Sequence, residues 1–110
     1  MVDNIRRIVG PRSTPTSSAV VFTGAPNFKY IIDTIVVCNT SSGPRTFGVG
    51  INGSSPSTAY SIFAFQPIAP QTTDTYYPDA VLVGAETLEA VSNGTEVTVT
   101  VNAEEIAFTS

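Results

Sequence analysis

Residues Tyr30 to Gly53 read YIIDTIVVCNTSSGPRTFGVGING, two strand-like runs joined by a polar linker of turn-forming residues. Tyr30 to Cys38 is almost continuously apolar and rich in β-branched residues, the pattern of a central strand covered on both faces. Phe47, Val49 and Ile51 alternate with Gly48 and Gly50, the period-2 pattern of a strand with one buried face. Working outward, Ala19 to Thr23 is an apolar β-type run closed by Gly24-Ala25-Pro26-Asn27. On the C-terminal side come Ala59 to Phe65, a proline-bounded loop at Gln66 to Asp74, Thr75 to Tyr77, and Asp79 to Ala90. Asn93-Gly94 sits where a type I′ turn would join that last segment to Thr95–Asn102 in a hairpin. In Thr95–Asn102 the valines at 97, 99 and 101 alternate with Glu96, Thr98 and Thr100, so Val99 is expected in the core and Thr98 at the surface.

No segment carries a helical stripe. Ala85 to Val91 alone has competing helix propensity, and its shortness and position between strands make it a turn plus strand. Short strands separated by Gly, Pro and Asn predict an all-β fold, a single antiparallel β-sandwich of jelly-roll-like form. The 110 residues suffice for one core, which would bury roughly two-thirds of the extended-chain surface. Residues 1–18 differ in composition, with three of the five basic residues, two prolines and the polar run from Arg12 to Ser18. They are expected to form an extended N-terminal arm with at most one short strand at Asn4 to Val9, leaving 19–110 as the sandwich domain.

Composition narrows the chemistry. Charged residues make up only 13% of the chain, about half the usual share, so the surface must be built from Ser, Thr, Asn, Gly and Pro. Such a surface suits lasting contact with protein, because burying a hydroxyl costs far less than burying a charge. A net charge of −4 argues against nucleic acid, which requires a basic field. The charges are also segregated. Residues 1–46 hold all five basic residues and two acids, whereas 47–110 hold seven acids and no base. That polarity could orient identical subunits, or a subunit and its platform, as they meet.

With no histidine in the chain, Ser-His-Asp and Cys-His catalysis are excluded, as are most zinc sites. Glu104 and Glu105 are adjacent, so in a strand they point to opposite faces and cannot share a substrate. Asp74 and Asp79 flank Tyr76-Tyr77-Pro78 at a spacing that matches no calcium loop. No enzyme activity and no cofactor are expected. Cys38, the single cysteine, can make no internal disulfide and is expected to be buried as a small hydrophobe. No apolar run is long enough to span a membrane, and the N-terminus lacks the apolar region of a signal peptide. The Asn-x-Ser/Thr matches at Asn39, Asn52 and Asn93 fall at expected turns, where Asn serves backbone geometry. Tyr60, Tyr76 and Tyr77 are candidates for stacking on carbohydrate or for interface packing.

The run IIDTIVVCNTSSGPRTFGVGING, the Phe-containing Ser61 to Phe65, and VLVGAETLEAVSNGTEVTVTVNAEEI together resemble small β-sandwich virion proteins of tailed bacteriophages. The shared pattern is an apolar strand ending in Val-Cys-Asn-Thr, a polar turn, an alternating strand ending Ile-Asn-Gly, a Leu-to-Leu segment around a glycine, and an alternating Thr-Val strand. It covers about residues 30 to 103. The resemblance implies a non-enzymatic capsid decoration (cement) protein, head fibre base or tail accessory protein. A decoration protein of this kind would be a homo-oligomer, a trimer at three-fold positions. Its partners would be itself and the major capsid protein or another virion platform protein, with no nucleic acid and no membrane. It would be made in the host cytoplasm and end in the virion. Arg6, Arg7 and Arg12 of the arm would then pair with carboxylates on a neighbour or platform. A tail or fibre module binding host-surface carbohydrate through the loop tyrosines is the alternative.

Overall fold

The computed structural model describes residues 5–17, 19–51 and 61–107, and the regular structure among them is entirely β. In chain order the strands are β1 (Ile5–Ser13), β2 (Ala19–Thr23), β3 (Phe28–Asn39), β4 (Arg45–Ile51), β5 (Ser61–Ile68), β6 (Thr72–Tyr76), β7 (Ala80–Val83), β8 (Thr87–Ser92) and β9 (Val97–Ala107). One sheet has the order β1-β9-β3-β6, with β7 also pairing β3, and the other has the order β2-β8-β4-β5.

The pairings are nested. β4 pairs with β5, β3 with β6 and β7, β2 with β8, and β1 with β9, all antiparallel. The chain is thus one long hairpin, and two further pairings, β3 with β9 and β4 with β8, roll it up into two layers. With β6 and β7 taken as two halves of one broken edge strand, eight strand positions divide into two four-stranded sheets. This is the jelly-roll form of the β-sandwich expected from the sequence.

Alternation in β9 fixes the core. Val97, Val99, Val101 and Ala103 are buried and the threonines between them half-buried, as expected. Facing them and their β3 neighbours Tyr30, Ile32, Ile35 and Val37 are Phe47 and Val49 of β4 and Leu88 of β8. The bulge between Ile32 and Thr34 shifts the inward parity of β3, from Tyr30 and Ile32 before it to Ile35, Val37 and Asn39 after it. Phe22 meets Tyr30 edge-on, with ring centroids 5.1 Å apart, closing the core at one end. At the other end Asn39, fully buried, takes the last inward position of β3. Its Nδ2 donates to the carbonyls of Gly43, Ile68 and Ala69 at 3.0, 3.2 and 3.2 Å, and its Oδ1 accepts from Ser41 N and Oγ. It therefore joins both sheets where the chain crosses between them, rather than standing in an open turn.

Several expectations are corrected. β3 is central but not covered on two faces: Ile31 and Asp33 are exposed and Cys38 is half-buried on the outward side. β4 reverses its own expectation, since Gly48 and Gly50 are buried along with Phe47 and Val49. Residues 66–68 continue β5 instead of opening a loop. Pro67 is tolerated because β5 is an edge strand pairing only β4, so its missing N–H removes no ladder bond on a second side. Asn93-Gly94 makes no hairpin, because β8 and β9 lie in different sheets. Neither residue has the positive φ that a type I′ turn requires. Asn93 instead bonds back to Thr46 of β4, with Thr46 N donating to its Oδ1 at 3.0 Å and its own N donating to Thr46 O at 3.2 Å.

The N-terminal strand is longer than the expected Asn4 to Val9. β1 runs to Ser13 along β9, with register shifts after Arg7 and after Val9. Val9 is its one buried residue and belongs to the core cluster. Gly10 passes so close to the Val99 carbonyl, at φ 73°, that no Cβ could be accommodated. Beyond the strand, Thr14 N donates to Val97 O and Pro15 O accepts from Ser92 N, each at 2.8 Å.

Candidate interaction surface

Register and alternation together map the outward face of the β1-β9-β3-β6/β7 sheet. One row across it reads Ile5, Glu104, Ile31, Val81, and the next places Lys29 between Ile106 and Val83. Toward the opposite end the rows read Ser13, Thr98, Cys38, Thr73 and then Thr100, Val36, Thr75. One end of the face is thus apolar and the other hydroxyl-rich. Its regular rows carry only Arg7, Lys29 and Glu104 as charges, with Asp33 in the bulge. Ile5, Ile31, Val81 and Val83 are 44%, 37%, 45% and 47% exposed, so the apolar end is an open patch. Sequence reading missed it because Val81-Leu82-Val83 is apolar throughout. Only the pairing of Leu82 with Tyr30 shows which of the three faces in.

The three arginines all lie on β1, in different settings. Arg6 Nη2 is 3.5 Å from Glu105 Oε2. Glu105 stands opposite the buried Tyr30 in the β9–β3 register, and the Tyr30 hydroxyl accepts the Ala25 N–H at 3.1 Å. Arg7 stands opposite Asn102 and is exposed, and Arg12 donates from Nε to the Ser13 carbonyl at 3.3 Å, also exposed. Another part of the segregated charge meets within the chain, where Arg45 Nε lies 3.3 Å from Glu96 Oε1.

The tyrosines separate. Tyr76 turns inward against Phe47, with centroids 5.4 Å apart, whereas Tyr77 is 77% exposed at the break between β6 and β7. One ring is packed on the core and the other, beyond the end of β6, is open to solvent. Tyr60 lies outside the described residues.

Burial raises the Tyr30 phenol above its ordinary 10.0; the Ala25 N–H opposes the rise, and Glu105 adds to it. Burial likewise raises Tyr76, with Asp74 contributing. A group whose folded pKa exceeds its unfolded one contributes stability that is complete below the unfolded value and is lost as pH climbs through the folded value. Urea midpoints should therefore fall as pH is raised past about 10, and less steeply for Tyr30→Phe. An unchanged alkaline slope in that variant would contradict the role given to Tyr30.

Among the described residues no group of three or more His, Cys, Asp or Glu could hold a metal, and no helix is long and apolar enough to cross a membrane. No family model and no curated protein matches the sequence. Solved structures do. A chain of the T13 IBDV viral particle matches with a TM-score of 0.60 at 15% identity, covering 94% of this chain and 31% of that one. The capsid of Ralstonia phage GP4 matches with a TM-score of 0.53 at 11% identity, covering 96% and 84%. The Drosophila NLP core, described for pentamer formation and histone binding, matches with a TM-score of 0.53 at 13% identity, covering 96% and 99%. This chain thus spans about a third of the IBDV chain and nearly all of the NLP core. At these identities the likeness shows the fold, one shared by viral capsid proteins and by a protein outside virions.

Proposed function

We propose that the chain is a non-enzymatic virion structural protein of a bacteriophage, decorating or cementing the capsid as a homotrimer. The observation that carries this reading is the outward face of the β1-β9-β3-β6/β7 sheet, hydroxyl-rich at one end and at the other apolar with two charges of each sign, Arg7, Lys29, Asp33 and Glu104. Its apolar and hydroxyl groups can be buried against protein at low cost, and its balanced charges call for partners across the contact. The capsid proteins among the structural neighbours support the same reading. The partners are a second copy and the major capsid protein or an equivalent platform, and Arg6, Arg7 and Arg12 of the 1–18 segment pair with carboxylates on a neighbouring subunit or on that platform, acting from a sheet edge. The test is binding of purified protein to particles lacking it, followed by heating. Bound protein should raise the temperature at which particles release their contents, and particles that neither bind nor gain stability would overturn the reading. The carbohydrate alternative rests on Tyr77 and Tyr60, since Tyr76 is turned inward against Phe47. Sugar binding on a glycan array, abolished by Tyr77→Ala, would favour it.

A further inference from the structure

The two edges of the β1-β9-β3-β6/β7 sheet are chemically opposite. β1 (Ile5–Ser13) carries three arginines and no acid. The β6–β7 edge, residues 72–83, carries Asp74 and Asp79 and no base. Asp33, exposed in the β3 bulge, adds to that side, because its neighbours Ile32 and Ile35 pair with Ala80 and Tyr76 on either side of the break. Each edge also bears exposed apolar groups, Ile5 on the first and Tyr77, Val81 and Val83 on the second.

We propose that copies of this chain associate head to tail, the β1 edge of one against the β6–β7 edge of the next. The occupant of each edge is a second copy because the charges complement each other only in that arrangement. A two-fold contact would set arginines against arginines on β1, or aspartates against aspartates on β6–β7, and like charges brought together across an interface are costly. A heterologous contact uses both edges of every subunit and builds a ring when its rotation closes. The contact runs through side chains, not through an extended ladder. β1 contains Pro11, which has no N–H, and two register shifts, while the opposite edge is broken at Tyr77-Pro78. Both features blunt an edge against strand addition. Arg7 and Arg12 are the arginines available for this contact, Arg6 being paired with Glu105.

The inference rests on the self-association in the proposed function and assigns its surface. The experiment uses native mass spectrometry and light scattering of the full chain at low salt. The variants are Arg7→Glu with Arg12→Glu, and Asp33→Lys with Asp79→Lys. All four positions are exposed, and thermal melts check that each variant remains folded. The wild type should be larger than a dimer and each variant alone should associate at least about tenfold more weakly. Mixing the two variants should restore association with the two alternating, and raised salt should weaken it. An oligomeric wild type whose variants associate normally would overturn this interface and leave self-association standing. Variants that dissociate without recovering on mixing would also overturn it. A wild type that is monomeric throughout would remove the interface and the self-association beneath it together, while particle binding would be judged by its own test.

Discussion

Val99→Asp is expected to abolish the cooperative fold, or to lower its stability by at least about 4 kcal/mol. Val99 is 2% exposed, lies opposite Val37 on one side and Arg12 on the other, and stands between Val97 and Val101, both fully buried. Its side chain belongs to the apolar core cluster, whereas Arg12 is exposed with its Nε on the Ser13 carbonyl, so a carboxylate at this position would be desolvated among apolar groups. For a domain whose total stability is typically about 5–15 kcal/mol, that is a large share. Thr98→Asp is the control one residue away. Its side chain points to the outward face, and the change should cost less than about 1 kcal/mol. Urea denaturation of both measures the difference, and equal losses would mean that β9 is buried on two faces.

Asn39→Asp should have the next largest effect, although it changes almost no volume. The wild-type amide donates to three backbone carbonyls from one side and accepts two bonds from Ser41 on the other. Aspartate keeps the acceptor but turns an oxygen toward the carbonyls of Gly43, Ile68 and Ala69, so each loses its Asn39 donor and faces a repelling oxygen, with Gly43 O keeping only the Ser41 hydroxyl. The expected loss is about 3 kcal/mol or more. It should shrink at low pH as the carboxyl takes up a proton and regains one donor. Ser42→Ala, at an exposed position in the same linker, should be nearly neutral. A stability for Asn39→Asp within about 0.5 kcal/mol of wild type would mean that this cluster is not holding the two sheets together.

Much of the fold was legible because side-chain alternation is a local property. The valines at 97, 99 and 101, the Ala19–Thr23 strand and the absence of a helical stripe could all be read directly. What could not be read was which strand lies beside which. Asn93-Gly94 has the composition of a hairpin turn, yet the same residues carry the chain between sheets once β4 offers Thr46 as a partner for Asn93. Coverage of a strand's second face depends on its neighbours in space, so β3 and β4 were each assigned the other's environment. The arginines of β1 were visible as a cluster. Their position at an edge opposite the aspartates of β6–β7 follows only from the pairing of β1 with β9 and of β3 with β6 and β7. Asn39 resembled a turn residue because its bonding partners include carbonyls about thirty residues away.

The most direct test of the proposed virion role is a reconstruction of purified virus particles in which the chain is expected, combined with quantitative mass spectrometry of their protein content. The account predicts an ordered jelly roll of this size in stoichiometric ratio to the major capsid protein, with symmetry-related copies meeting β1 edge to β6–β7 edge. Purified particles that lack the protein altogether would contradict it.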